Sequence, residues 1–156
     1  MPTSEERPPS ARQAPAVLVV EDESVPRSEI CRMVRGLGYP VRTARNGREA
    51  LRHLDQHPGE VRLVLSDVIM PYMDGGELAE RIRDRLPGVR IVLMSGSLEG
   101  EAGELVAAYP ETPFLTKPFS FAELYATLSW LIGAPGGPPG PRPVKPAFHR
   151  EREPRT

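Results

Sequence analysis

Apolar runs and helical spacings alternate along residues 16–133 of this chain. Val17–Val20 reads as a short buried strand. Ile30, Met33, Val34 and Leu37 follow at spacings of three and four, the period of one helix face. That helix opens near Ser24, with Pro26 early, where a missing N–H costs nothing, and Gly38 ends it. The pattern then repeats. Val41–Ala44 predicts a second strand, and Asn46-Gly47 opens a helix with Ala50, Leu51 and Leu54 inward, stopped by His57-Pro58-Gly59. Val61–Ser66 is a third strand, and Asp74-Gly75-Gly76 precedes a helix carrying Leu78, Ile82 and Leu86. Val89–Met94 is a fourth strand, and a weaker helix spans roughly Glu101–Tyr109, with Ala102, Leu105, Val106 and Tyr109. Pro113–Thr116 is a fifth strand. A last helix from near Ser120 presents Phe121, Leu124, Tyr125, Leu128, Leu131 and Ile132.

Several of these strands are continuously apolar rather than alternating, which implies burial on both faces. The expected fold class is therefore α/β, a parallel sheet with helices on each side. In such sheets the functional crevice lies beyond the carboxyl ends of the strands, where the strand order reverses. Those ends carry the polar groups that the strands avoid. The first delivers Glu21 and Asp22, the third Asp67, the fourth Ser95, and the fifth Thr116-Lys117-Pro118. Three carboxylates sharing one crevice repel one another unless a cation neutralises them. An oxygen-only ligand set, with no His or Cys, favours a hard divalent ion such as Mg²⁺.

Composition sharpens this in one place. Of 20 basic residues 18 are Arg, and Lys117 is the only Lys between residues 16 and 133. A compact ammonium suits a single phosphoryl or carboxylate oxygen in a tight pocket better than a planar guanidinium does.

Four segments, in order, resemble the receiver domain of two-component response regulators. They are Val19-Val20-Glu21-Asp22-Glu23, Leu65-Ser66-Asp67-Val68-Ile69-Met70-Pro71-Tyr72-Met73-Asp74-Gly75, Leu93-Met94-Ser95-Gly96 and Thr116-Lys117-Pro118-Phe119. The resemblance implies a flavodoxin-like, doubly wound five-stranded parallel sheet of order 2-1-3-4-5. It implies that Asp67 is the phosphoacceptor, taking a phosphoryl group from the phosphohistidine of a histidine kinase or histidine phosphotransfer protein. Mg²⁺ would be held by Glu21, Asp22, Asp67 and the backbone carbonyl of Ile69. Ser95 and Lys117 would contact the phosphoryl oxygens, and Ser95 with Phe114 would form the conformational switch. Such a protein catalyses its own phosphorylation and slow dephosphorylation but turns over no separate substrate, so it is not expected to be an enzyme.

The ends differ from the body. Residues 1–15 hold four prolines and 134–156 hold seven, without apolar periodicity, so both are expected to be disordered tails around a receiver domain at 16–133. The C-terminal tail carries a charge of +3, leaving −4 on the body of a chain whose net charge is −1. That tail reads as a solubilising spacer, and 23 Pro/Gly-rich residues are too few for an output domain. Output is therefore expected through contact with a downstream protein or a phosphorylation-dependent homodimer, with no DNA-binding domain and no membrane partner. With no signal-peptide pattern and one cysteine, Cys31, expected to be a buried thiol, the chain is expected to be cytoplasmic.

A receiver-like module that binds without phosphorylation keeps no reason for Asp67, Asp22, Ser95 and Lys117 together. A receiver related to that of a hybrid histidine kinase is a second possibility. A phosphohydrolase of the haloacid dehalogenase type wants an Asp two residues after the nucleophile, where Ile69 stands. His53 and His57 have the i, i+4 spacing of a metal pair, but no third ligand stands near, and a solvated helix face is expected. Trp130 fits either core or a partner surface.

Overall fold

The computed structural model describes residues 15–136; the expected tails lie almost wholly outside the described residues. Five strands and five helices alternate: β1 (Ala16–Val20), α1 (Ser24–Gly36), β2 (Val41–Ala44), α2 (Gly47–Gln56), β3 (Val61–Asp67), α3 (Gly75–Arg85), β4 (Arg90–Ser95), α4 (Gly100–Ala108), β5 (Phe114–Thr116) and α5 (Phe121–Ile132). The strands form one sheet in the order β2-β1-β3-β4-β5, and every neighbouring pair is parallel. This is the flavodoxin-like α/β fold.

Both faces of the sheet are dry, as the continuous apolar runs require. On one face Leu18, Val20, Val64 and Leu93 meet Ala50, Leu51 and Leu54 of α2, Leu78, Ala79 and Ile82 of α3, and Ala102 of α4. On the other, Val17, Val19, Leu63, Leu65, Val92 and Met94 meet Ile30, Cys31 and Val34 of α1 and Leu124 and Leu128 of α5. Three helices therefore cover one side and two the other. Fully burying each Val, Leu, Ile or Met side chain among these contributes about 1.5–3 kcal/mol, so this two-sided core dominates the stability.

Side-chain caps set where three helices start. Asn46 Oδ1 accepts from Glu49 N at 2.9 Å, Asp74 Oδ1 from Glu77 N at 2.8 Å, and Ser120 Oγ from Glu123 N at 3.1 Å. Each satisfies an N–H that the first helical turn leaves unpaired.

Several boundaries differ from the sequence expectation by one residue. Strand β3 continues through Asp67 because Asp67 stays in register with Met94 of β4. Strand β4 starts at Arg90, since the N–H of Val89 instead donates to the Leu86 carbonyl in the preceding turn. Pro113 precedes β5, although its carbonyl still accepts from Leu93 N at 2.9 Å. On α5, Phe121 and Tyr125 are 54% and 40% exposed, so the inward stripe is narrower than the apolar spacing suggested. Thr127 is buried beside Leu124 and Leu128 because its hydroxyl donates to the Glu123 carbonyl of its own helix at 2.9 Å.

Candidate functional site

Strands β1 and β3 are neighbours at the point where the connections diverge to opposite sides of the sheet, so their carboxyl ends open a crevice. Glu21 directly follows β1, anchored by its N–H donating to the Ala44 carbonyl at 3.1 Å, and only 2% of it is exposed. Asp22, next along, lies on the exposed rim. Asp67 ends β3. One oxygen from each of these three carboxylates lies within 4.8 Å of the others.

Lys117 enters from β5. Its N–H donates to the Ser95 carbonyl at 2.9 Å, continuing the β4–β5 ladder beyond the Ser95–Thr116 pair. The Lys117–Pro118 peptide is cis. The ammonium donates to Glu21 Oε2 at 2.8 Å and stands 3.9 Å from Asp67 Oδ1. This unequal sharing sets the two acids apart. Burial would raise Glu21, but the Lys117 hydrogen bond and charge overcome it and hold the carboxyl below its ordinary value. Burial also raises Asp67, and there the more distant Lys117, opposed by the Glu21 carboxylate, is too weak to offset it. Its pKa is pushed up to about 7. Asp22 is raised as well, by partial desolvation and then by its Glu21 neighbour.

Not every residue singled out from the sequence points into this cluster. The Ser95 hydroxyl donates to the Ser97 carbonyl at 2.8 Å and accepts from Ser97 N at 3.3 Å, so it is turned toward the β4–α4 loop. Ile69, singled out for its backbone carbonyl, stands in the loop after β3 and is 42% exposed. Phe114 opens β5 and packs against the cluster that α2, α3 and α4 cover.

Two further residues also shape the site. Arg27, in the first turns of α1, donates from its guanidinium to the Glu21 carbonyl at 2.9 Å and the Asp22 carbonyl at 3.4 Å, so it pins the acidic loop through its backbone. A basic residue six positions after Glu21 was the available signal. Gly75 is the second: a Cβ there would lie 2.5 Å from the Asp67 carbonyl oxygen and 3.1 Å from Val68 Cα. Only glycine lets the start of α3 approach the end of β3 this closely, with Gly75 N donating to the Val68 carbonyl at 2.7 Å.

Asp67 is raised to about 7 chiefly by burial, and it stands with two other carboxylates beside a single ammonium. The three acids offer only oxygen donors, and two of them are shielded from bulk water. That donor set fits a hard divalent cation.

The structure is a doubly wound parallel sheet with an acidic crevice and one ammonium at its switch point. The sequence matches the response regulator receiver domain over residues 17–129, and the chain belongs to that family. It is 37% identical over 116 residues to sensor kinase CckA of Brucella abortus, covering 74% of this chain but 12% of that protein. Response regulator receiver protein CpdR of the same organism is 31% identical over 116 residues, which is 74% of this chain and 95% of CpdR. The chain thus spans a small fraction of one relative and nearly all of the other. Among solved structures, the receiver domain of sensor histidine kinase PA1611 from Pseudomonas aeruginosa PAO1 superimposes with a TM-score of 0.68 at 30% identity, covering 77% of this chain and 98% of that one. That structure has a magnesium ion coordinated in its active-site cleft. Among the described residues no helix is long and apolar enough to cross a membrane.

Proposed function

We propose that this receiver domain accepts a phosphoryl group on Asp67 from a phosphohistidine of a histidine kinase or histidine phosphotransfer protein, with Mg²⁺ as cofactor. The observation that carries the reading is the meeting of Glu21, Asp22 and Asp67 beside Lys117 at the switch point. A carboxylate oxygen of Asp67 forms the new O–P bond as the donor's N–P bond breaks, and the leaving imidazole nitrogen takes up a proton. Such a transfer depends on positioning and on neutralising charge spread over three equatorial oxygens. Glu21, Asp22, Asp67 and the Ile69 carbonyl would hold Mg²⁺, which when bound lowers the Asp67 pKa and offsets the phosphoryl charge.

The chain's own residues do the rest. Arg27 keeps the Glu21–Asp22 backbone in place, and Gly75 permits the tight packing behind Asp67. Lys117 is anchored on Glu21, 3.9 Å from Asp67 Oδ1, and a short movement brings it to a phosphoryl oxygen on Asp67. The product carries about one and a half to two added negative charges. Ser95 then exchanges its Ser97 partner for a phosphoryl oxygen, and Phe114 takes up the freed space. This changes the surface around α4 and β5, on which a downstream protein or a second copy of the domain acts. The domain is a phosphoacceptor rather than an enzyme with a separate substrate. Phosphotransfer profiling against the histidine kinases of the source organism tests the reading. Wild type should be labelled by a cognate kinase in the presence of Mg²⁺ and Asp67→Ala should not; equal labelling of the two would refute it.

A further inference from the structure

The i, i+4 histidine pair of α2 acquires a third partner on folding. The turn after α2 brings Glu60 back beneath it, with Glu60 N donating to the His57 carbonyl at 3.2 Å. Glu60 Oε2 lies 3.4 Å from His53 Nε2 and 3.8 Å from His57 Nδ1, and one donor atom from each of the three residues lies within 4.8 Å of the others. The sequence expectation of a solvated helix face with no third ligand is corrected on that point: Glu60 lies seven positions after His53, but the turn closes the gap.

We propose that His53 Nε2, His57 Nδ1 and Glu60 Oε2 form a Zn²⁺ site, distinct from the acidic crevice. Zinc takes nitrogen and carboxylate ligands at about 2.0–2.2 Å in a tetrahedral array, which separates adjacent donor atoms by roughly 3.3 Å. The observed 3.4 and 3.8 Å separations are close to that edge. His53 Nε2 is buried and has no hydrogen-bond partner despite its nearness to the carboxylate. A buried ring nitrogen facing an acceptor without a bond is a costly arrangement, and a shared cation resolves it. The other oxygen, Glu60 Oε1, is held by the Arg42 guanidinium of β2, the kind of outer support that orients ligating carboxylates. The backbone is equally fixed: His57 N donates to the His53 carbonyl, and Ala16 N of β1 donates to the Glu60 carbonyl. His57 is half exposed, which leaves a way in and a fourth position open to water. Mixed imidazole and carboxylate ligation favours zinc over the hard ion suited to the crevice. The two sites lie at opposite ends of β3, separated by about 20 Å at roughly 3.3 Å per residue.

The test is Zn²⁺ titration of the full, metal-stripped chain against a chromophoric chelator, with Mg²⁺ in large excess to occupy the crevice. One equivalent should bind with micromolar affinity or better, and the imidazole ¹⁵N resonances of His53 and His57 should shift together. His57→Gln, at a half-exposed position, should weaken binding at least about tenfold without changing metal-free thermal stability. His53→Gln should do the same, while His149→Gln in the tail and Asp67→Asn should leave binding unaltered. Absence of micromolar binding, or binding lost in the His149 or Asp67 variant but kept in the His57 variant, would overturn the proposal.

Discussion

Replacing Asp67 by Asn is predicted to stabilise the metal-free protein. Asp67 is 19% exposed at its side chain, and its pKa stands at about 7 against an ordinary 3.8. Each unit is about 1.4 kcal/mol, so keeping the carboxylate ionised in the fold costs roughly 4 kcal/mol. That figure already includes attraction from Lys117 and repulsion from Glu21. Asn removes the charge at nearly constant volume and leaves the 2.8 Å Lys117–Glu21 pair in place. The sign follows from proton binding. A group whose pKa is raised by folding contributes stability that is fully present below 3.8 and lost as the pH rises through about 7. The advantage of Asn should therefore grow through that window and level off above it. At about pH 8, with a chelator present, a gain of roughly 2–4 kcal/mol is expected, the lower end allowing for water at the exposed edge. With a urea dependence of about 2 kcal/mol/M, the midpoint should rise by about 1–2 M. At about pH 5 the gain should shrink to roughly two-fifths of that value by the same linkage. Adding Mg²⁺ should narrow the difference, because the ion stabilises wild type by mass action. Urea titrations followed by circular dichroism at the two pH values measure all of this. An Asn variant no more stable than wild type, or a gain independent of pH, would refute the electrostatic reasoning.

Three further outcomes follow from single contacts. Lys117→Met removes the cation from a Glu21 that is 2% exposed and should cost about 2–4 kcal/mol at neutral pH. Burial alone raises Glu21 and Lys117 is what holds it below its ordinary value, so this loss should shrink as the pH falls from neutral and vanish once Glu21 is protonated in both proteins; a pH-independent loss would count against the pairing. Gly75→Ala forces a Cβ against the Asp67 carbonyl and should destabilise by about 1–3 kcal/mol in thermal melts, despite alanine's better helix propensity; a stabilised variant would contradict the close approach. Tyr39→Phe leaves the Gly133 carbonyl without its 2.7 Å donor and should cost about 1–2 kcal/mol in urea denaturation, whereas no change would mean that water replaces the hydroxyl.

The parts of the molecule legible in the sequence were those governed by local period. Continuous apolar strands announced burial on both faces, and Asn46, Asp74 and Ser120 announced helix starts because a cap acts only three residues ahead. Glu21, Asp67 and Lys117 could be gathered because a parallel sheet puts all carboxyl ends at one edge. Partner choice within that gathering was not legible. Lys117 sits closer to Glu21 than to Asp67, and Ser95 bonds to Ser97, because side-chain rotamers answer to distances of a few tenths of an ångström. The same holds for Phe121 and Tyr125, whose helical spacing matches the core stripe while α5 presents only its Leu124–Leu128 side. Glu60 was invisible beside the histidines because a turn, rather than a helical period, brings it there.

The central claim, that Asp67 is a Mg²⁺-dependent phosphoacceptor, is tested most directly by intact-mass spectrometry after incubation with acetyl phosphate. Wild type should gain a single phosphoryl group only when Mg²⁺ is present, borohydride trapping should place it on Asp67, and Asp67→Asn should gain none at that position. An unmodified wild type under these conditions, or a phosphoryl group mapped to another residue, would contradict the account.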